Sequence, residues 1–222
     1  MKTIRILAVD DHEMIMMGYK YILEDINFND FTIHVETANT FELGKRKIED
    51  SVTSFKYDVL FLDVQLTPPR DTLPQTGEEL GILARKIIPD TKIVFLSSFS
   101  DNYRINSILK SVNPEGYMVK TEIDSHTLEA MMNTIMTSPP YYTNKALIAI
   151  RASMASNVVI DENDKKILYY LSIGTKTKDI VAHVSLSLPG IENRKRQLRS
   201  IFNVEKQNDQ ALIREAKNRG FI

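Results

Sequence analysis

Cysteine and tryptophan are absent from the 222 residues of this chain, and histidine occurs only four times. Without cysteine, the chain has no disulfide bonds and no thiolate-based zinc or redox sites. The histidines, at positions 12, 34, 126 and 183, show neither the spacing of a zinc site nor that of a catalytic triad. His12 follows the acid pair Asp10–Asp11 and is expected to begin the first helix.

Long hydrophobic runs are also missing. No apolar run approaches the length of a membrane span, and no signal peptide is visible. Hydrophobic residues make up 43% and charged residues 26% of the chain, which is ordinary for a globular protein. We therefore expect a cytoplasmic protein with no membrane partner, and the length favours two domains.

The formal net charge of −1 conceals a difference between the two parts of the chain. Residues 1–156 contain 16 Lys and Arg against 21 Asp and Glu, a net charge of −5. Residues 157–222 contain 12 against 8, a net charge of +4. An acidic first part and a basic tail indicate different partners.

The first 136 residues alternate between short apolar runs and helical patterns. The apolar runs are TIRILAV, FTIHVETA, YDVLFLD, KIVFLSS and GYMVK, and a segment of helical period follows each of them. This alternation is typical of βαβ units. Residues 1–136 are therefore predicted to form an α/β flavodoxin-like, doubly wound domain with five parallel strands in the order 2-1-3-4-5.

The alternation stops at TSPPYY, where two consecutive prolines mark a connector. Residues 137–156 are predicted to be a linker, with a helix in NKALIAIRASMAS. The pattern of residues 157–222 is helical only, which predicts a second, all-α domain.

Polar side chains stand at the ends of four of the five predicted strands. Asp10 and Asp11 follow the first strand, Asp63 ends the third, Ser97 lies at the end of the fourth and Lys120 ends the fifth. Because ligands of open parallel sheets bind outside the carboxyl ends of the strands, these side chains are expected to converge on one edge.

Three close carboxylates can stay ionised when a hard divalent cation lies among them, and Mg²⁺ prefers such oxygen ligands. Asp11 and Asp63 are the expected direct ligands, Asp10 binds directly or through water, and the carbonyl of Gln65 is a further candidate. Lys120 adds a second positive charge. Such a site can accept a phosphoryl group on a carboxylate.

These motifs resemble the receiver domain of two-component response regulators, over residues 1–136. The resemblance implies that Asp63 is the phospho-acceptor and that a sensor histidine kinase supplies the phosphoryl group. It also implies that Ser97 turns toward that group and that Tyr117 is the aromatic switch residue. The chain departs from the family in a longer, proline-rich loop between Asp63 and Gly77, and in the bulky Phe99 near the site.

The basic tail has the pattern of a helix-turn-helix. Helices are predicted over residues 162–172, ended by Gly174, and over about 178–184, and a third helix has Ser187 as its N-cap. The third helix is basic, and in this geometry such a helix enters the major groove of DNA. The candidate DNA contacts are Lys176, Lys178, Glu192, Asn193, Arg194, Lys195, Arg196 and Arg199.

Residues 160–204 also resemble the LuxR-type DNA-binding domain, without gaps. The resemblance implies binding to double-stranded DNA, and a fourth helix over residues 206–220 that supports a homodimer. The chain departs from the family at Pro189–Gly190, where Ser or Thr is favoured, and at Arg194, where His is common.

We interpret the sequence as a response-regulator transcription factor rather than an enzyme. Two alternatives stay open. One is a regulator of the same architecture that a partner or ligand switches without phosphorylation. The other is a phosphatase with Asp63 as its nucleophile, although Gln65 stands where such an enzyme needs a second acid.

Overall fold

The structure, a computed structural model, describes residues 1–66, 75–98, 102–155, 160–218 and 221–222. Most of the long loop after Asp63 and the side chain of Phe99 lie outside the described residues. The chain divides into two compact units, one made of residues 1–100 and 108–146 and the other of residues 101–107 and 147–222. No helix among the described ranges is long and apolar enough to cross a membrane.

The first unit is built around a six-stranded sheet in the order β2-β1-β3-β6-β7-β8, in which every pair is parallel. Its strands are β1 (Lys2–Val9), β2 (Phe31–Ala38), β3 (Val59–Asp63), β6 (Lys92–Ser97), β7 (Gly116–Val119) and β8 (Tyr141–Tyr142), and β4 (Gln65–Leu66) and β5 (Gln75–Thr76) form a separate antiparallel pair. The helices of this part of the chain are α1 (Glu13–Asp25), α2 (Phe41–Asp50), α3 (Gly77–Ile87), α4 (Asn102–Ser111) and α5 (Ser125–Thr137). The five predicted strands and their order are thereby confirmed.

Successive side chains of a strand point to opposite faces of the sheet, so apolar residues of the strands contribute to a core on each face. Ile4, Ile6 and Ala8 of β1 belong to the core cluster that includes residues of α1 and α5. On the opposite face, Val9 lies against Gly44 of α2. All five residues of β3 are buried, which is expected of a central strand covered on both faces.

The sixth strand, β8, lies in the segment that the sequence indicated to be only a connector. Tyr141 N–H donates to Glu115 O at 2.9 Å, and Thr143 N–H donates to Tyr117 O at 3.2 Å. Thr143 Oγ1 in turn accepts from Val119 N–H at 3.1 Å. A two-residue strand carries no alternation in sequence, so the structure adds here a strand that the sequence did not predict.

The linker helix is confirmed as α6 (Asn144–Ala155). Its beginning is joined to the turn that follows β7, a single 3-10 turn over Lys120–Glu122. The Glu122 carboxylate accepts from Lys145 N–H at 3.0 and 3.2 Å, and Lys145 Nζ donates to Thr121 Oγ1 at 2.8 Å. A carboxylate at a helix N-terminus satisfies backbone N–H groups that have no partner within the helix.

The second unit contains α7 (Glu162–Ser172), α8 (Thr177–Ile180), α9 (Leu188–Ile201) and α10 (Asp209–Asn218), packed around one apolar core. The bounds of α7 are as predicted, Gly174 has the positive φ of +86° that suits a helix stop, and Ser187 caps α9 through Gly190 N–H. The second predicted helix, about 178–184, is shorter than expected. After Ile180 the backbone hydrogen bonds join residues that are only three positions apart, as in the bond from His183 N–H to Ile180 O. The α-helix therefore ends in tight turns.

The bonds of Thr143 generate a first prediction. Thr143→Val removes the acceptor of the buried Val119 N–H, so we expect the free energy of unfolding to fall by roughly 1–3 kcal/mol. Hydrogen–deuterium exchange should accelerate at residues 117–119, and urea unfolding gives the free energy. Thr137→Val, at an exposed site, is the control and should leave both measurements nearly unchanged. Slow exchange at Val119 in the Thr143 variant would contradict the assigned role of β8.

Candidate phosphoryl-acceptor site and DNA-binding face

Three charged side chains meet at the carboxyl edge of the sheet. Asp10 follows β1, Asp63 ends β3 and Lys120 follows β7. Lys120 Nζ lies 2.6 Å from Asp10 Oδ2 and 2.9 Å from Asp63 Oδ2, so a single ammonium bridges the two carboxylates. Asp10 and Asp63 are 1% and 4% exposed, which means that both carboxylates have left water.

Burial of a carboxylate is costly, and the pKa of Asp63 shows this cost. Burial raises the pKa of Asp63 to about 6, against an opposing effect of Lys120, and the charge of Asp10 adds to the rise. Burial alone would lower the pKa of Lys120, but its bonds to Asp10 and Asp63 raise it above the usual value. Lys120 therefore stays charged, and its single positive charge can balance only one of the two carboxylates of Asp10 and Asp63.

His12 also reaches this cluster, which its position in the sequence did not predict. His12 is the N-cap residue of α1, but its side chain does not cap the helix. Instead, Nδ1 lies 2.9 Å from Asp11 Oδ1 and 3.2 Å from Asp10 Oδ1. The nearby Asp11, followed by Asp10, raises the pKa of His12. Its adjacency to the acid pair was the only signal in the sequence.

The donor atoms of the cluster fit a divalent cation. One atom each of Asp10, Asp11, His12 and Asp63 lies within 4.8 Å of the others. Three of the four donors are carboxylate oxygens, the ligands that hard cations prefer. Gln65 N–H donates to Asp63 Oδ1 at 3.3 Å, which fixes the backbone next to the acceptor. The role of the Gln65 carbonyl as a ligand stays a prediction.

The remaining receiver candidates lie on the strands next to the cluster. Ser97, the last residue of β6, is buried and pairs in register with Val119, which directly precedes Lys120. Tyr117 is fully buried in β7, and its ring centroid lies 6.5 Å from that of Phe95. Ser97 therefore shares the edge with Asp63 and Lys120, whereas the buried Tyr117 ring lies next to Phe95 of the neighbouring strand β6.

Gly77 brings α3 against the backbone of Asp63. A Cβ atom at position 77 would lie 1.9 Å from the Asp63 carbonyl oxygen, and Gly77 N–H donates to Val64 O at 3.3 Å. No side chain fits in this contact. The glycine thus fixes where α3 begins relative to β3, the strand that ends in Asp63.

The exposed face of α9 retains part of the predicted DNA contacts. Glu192, Asn193 and Arg196 are exposed along this helix, and Lys176 and Lys178 are exposed around the start of α8. Arg196 has no ion pair within the described residues. The guanidinium of Arg196 is therefore exposed to solvent on α9, and its role in base recognition stays a prediction.

Three other basic residues of α9 are engaged inside the unit, and here the structure differs from the predicted basic face. Arg194 Nη1 pairs with Asp161 at 2.8 Å and with Asp164 at 3.2 Å. Lys195 is 3% exposed, and both Lys195 and Arg199 pair with Asp209. Positions 191, 195 and 198 lie on the buried side of the helix, so helical period turns Lys195 inward.

Relatives cover nearly the whole chain, although no protein-family model matches it. The oxygen regulatory protein NreC of Staphylococcus epidermidis is 24% identical over an alignment of 215 positions that covers 90% of this chain and 92% of that protein. The response regulator protein VraR of Staphylococcus saprophyticus is 22% identical over 95% of each chain. The transcriptional regulatory protein MctR of Rhizobium johnstonii is 22% identical over 99% of this chain and 95% of that protein.

Solved structures show the same fold. A structure of two RcsB dimers bound to two parallel DNAs has a TM-score of 0.62 at 14% identity, and it covers 98% of this chain and 99% of that chain. A complex of the two-component response regulator RcsB with DNA has a TM-score of 0.60 at 16% identity with the same coverage. The predicted fold class and the resemblance to response regulators are thereby confirmed. The relatives are named as regulators, in agreement with the expectation that the chain is not an enzyme.

The contact at Gly77 generates a second prediction. Gly77→Ala must displace either α3 or the Asp63 backbone, and we expect it to lower the free energy of unfolding by roughly 1–3 kcal/mol. Gly18→Ala is the matched control, because a Cβ there meets nothing within 4 Å and α1 gains about 0.5–1 kcal/mol of helix propensity. Urea unfolding of both variants gives the comparison. Equal stability of the two would show that α3 does not depend on this close approach.

Proposed function

We propose that the protein is a response-regulator transcription factor, in which phosphorylation of Asp63 controls DNA binding by the helix-turn-helix unit. The observation that carries the proposal is the bridge of Lys120 between two buried carboxylates at the sheet edge. A structural ion pair needs one acid and one base, whereas this site holds an excess of acid next to a fixed ammonium. Such an arrangement suits the acceptance of a phosphoryl group.

In the proposed reaction, an oxygen of the Asp63 carboxylate forms a bond to the phosphorus of a phosphohistidine on a sensor kinase. The phosphorus–nitrogen bond of the donor breaks, and the histidine nitrogen keeps the electron pair. Lys120 is placed to pair with an oxygen of the transferred group, and Ser97 is the proposed hydroxyl donor. Each of these groups is positioned by the end of a buried strand, so little rearrangement is needed.

Mg²⁺ is the proposed cation of the site. Asp10, Asp11 and Asp63 would hold it, together with the carbonyl of Gln65, and the bound ion would supply positive charge opposite the phosphoryl oxygens. The three carboxylates support this assignment. The nearness of His12 is the feature that an all-oxygen site does not require.

For DNA, we propose that α9 reads the major groove. Arg196 suits bidentate contact with guanine, Asn193 suits adenine, and Glu192 suits the amino group of cytosine. Lys176 and Lys178 are the proposed phosphate contacts. The solved RcsB complexes support the choice of DNA as partner, because their fold covers this whole chain.

The proposed domains are a receiver over residues 1–136, a linker over 137–156 and a LuxR-type domain over 157–222. The structure adds that β8, at the start of the linker, is part of the receiver sheet. We further propose that the protein is a cytoplasmic homodimer. The RcsB dimers on DNA support the dimer.

The acidic site generates a third prediction. Acetyl phosphate should label the wild-type protein on Asp63, and removal of Mg²⁺ with a chelator should abolish labelling. Asp63→Asn should not be labelled, because it has no carboxylate nucleophile. Asp30→Asn, which changes an exposed aspartate, is the control and should be labelled like the wild type. Intact-mass measurement and phosphate-affinity electrophoresis detect the labelled fraction.

The same experiment separates the alternatives. Undiminished labelling of Asp63→Asn would show that another residue is the acceptor. No labelling of the wild type by acetyl phosphate or by any sensor kinase, combined with specific DNA binding, would instead support a regulator that a partner or ligand switches.

The DNA-binding face generates a fourth prediction. Arg196→Ala should cost roughly 1–3 kcal/mol on a duplex that the wild type selects from a random library, and should relax specificity at one base pair. Lys178→Ala should weaken binding to selected and scrambled duplexes alike and lower the salt slope by about 0.9. Lys217→Ala, an exposed lysine on α10, controls for a general loss of charge. Fluorescence anisotropy over a salt series measures all three variants. Equal losses for Arg196→Ala on both duplexes would contradict the groove assignment.

A further inference from the structure

Lys195 lies at the meeting point of three helices of the DNA-binding unit. Its Nζ is 2.8 Å from Thr177 Oγ1, 3.0 Å from Asp209 Oδ2 and 3.4 Å from Glu192 Oε1. Thr177 is the first residue of α8 and Asp209 is the first residue of α10, while Glu192 lies one turn before Lys195 on α9. A single side chain thus joins α8, α9 and α10.

The geometry excludes Lys195 from contact with DNA in this conformation. A lysine ammonium has three donors, and three oxygens occupy them here. Only 4% of the side chain is exposed, so a phosphate cannot approach Nζ without a rearrangement of its surroundings. Burial of a charge is tolerated when the charge is paired and hydrogen-bonded, as it is in this case.

Asp209 is held in place by more than Lys195. Arg199, one turn further along α9, pairs with the other oxygen of the same carboxylate. Asp209 also lies in the first turn of α10, where a negative charge is favoured by the helix dipole. The carboxylate therefore fixes the beginning of α10 against two successive turns of α9.

We propose that Lys195 and Asp209 are positioning residues for DNA recognition. Together they keep α8, which carries Lys178, in a fixed register with the exposed face of α9, which carries Arg196. Phosphate contacts and base contacts can then be made at the same time. This inference rests on the proposed DNA-binding function.

The direction in which one substitution, Asp209→Asn, changes the affinity for DNA separates a positioning role from simple electrostatics. Asp209 is negatively charged, so its neutralisation would strengthen binding to DNA if charge alone mattered. A positioning role requires the opposite, because loss of the carboxylate releases Lys195 and Arg199 from α10. Asp179→Asn is the matched control, since it removes an exposed negative charge from the same unit.

The test uses the full-length protein and the variants Asp209→Asn, Lys195→Met, the double variant and Asp179→Asn. The probes are the duplex that the wild type selects from a random library and a scrambled duplex of the same composition. Fluorescence anisotropy gives affinities and salt slopes, and circular dichroism gives the folded fraction at the assay temperature. Lys195→Met keeps an unbranched apolar side chain of similar size to the aliphatic part of lysine while it removes the ammonium.

We expect Asp209→Asn and Lys195→Met each to bind the selected duplex about tenfold more weakly, which corresponds to 1.4 kcal/mol. Binding to the scrambled duplex should change much less, so the specificity ratio falls. The salt slope of Lys195→Met should equal that of the wild type, because no phosphate contact is lost. The double variant should bind no more weakly than either single variant, since both substitutions break one unit.

Two outcomes would overturn the inference. One is stronger binding of Asp209→Asn to both duplexes, as expected for Asp179→Asn. The other is a salt slope of Lys195→Met that is lower by about 0.9, the mark of a lost phosphate contact. If either Asp209→Asn or Lys195→Met is partly unfolded, the other of these two variants decides. Failure of the folded, phosphorylated wild type to select any duplex would overturn the proposed function itself.

Discussion

The bridge that Lys120 makes between Asp10 and Asp63 is the interaction on which the site at the carboxyl edge of the sheet depends. Two buried carboxylates repel each other and resist the loss of water, and a single ammonium at 2.6 and 2.9 Å makes their burial tolerable. The parallel sheet brings the three residues together, because β1, β3 and β7 all end at one edge. What remains is an excess of negative charge, and this excess is the feature that the proposed cation and the proposed phosphoryl chemistry would use.

The rule that a buried charge must be paired also holds in the second unit, but there the buried charge is used within the protein. Lys195 is a buried cation whose oxygen partners come from three helices, and its charge is fully used inside the protein. Arg194 is likewise paired with Asp161 and Asp164. Charges that are satisfied internally fix the helices, whereas charges that stay exposed, such as Arg196, face the solvent. A count of basic residues along α9 therefore overstates the positive charge on its exposed face.

The sequence was informative wherever function follows from strand order. Asp10, Asp63 and Lys120 could be placed at one edge because parallel strands have a common direction. The sequence was poor where function follows from packing. The two-residue strand β8 leaves no pattern in a short window, because it depends on β7. Helical period places Lys195 on the same side of α9 as Ile191 and Leu198, but the pairing that makes its burial tolerable depends on Asp209, on another helix. The contact of His12 with the acid pair depends in the same way on a side-chain direction that periodicity does not fix.

The hydrogen bonds of β8 and of the residue after it connect β7 to the chain that leads into α6. Strand β7 carries Tyr117, and Lys120 follows directly after this strand. The backbone of β7 therefore lies next to the site that contains Lys120. Its outer edge is bonded to residues 141–143 rather than to water. One residue after Thr143, α6 begins, with its first turn bonded to Glu122, two residues after Lys120. A displacement of β7 or of the turn after it therefore also displaces the chain that leads into α6, because hydrogen bonds rather than a free linker connect them.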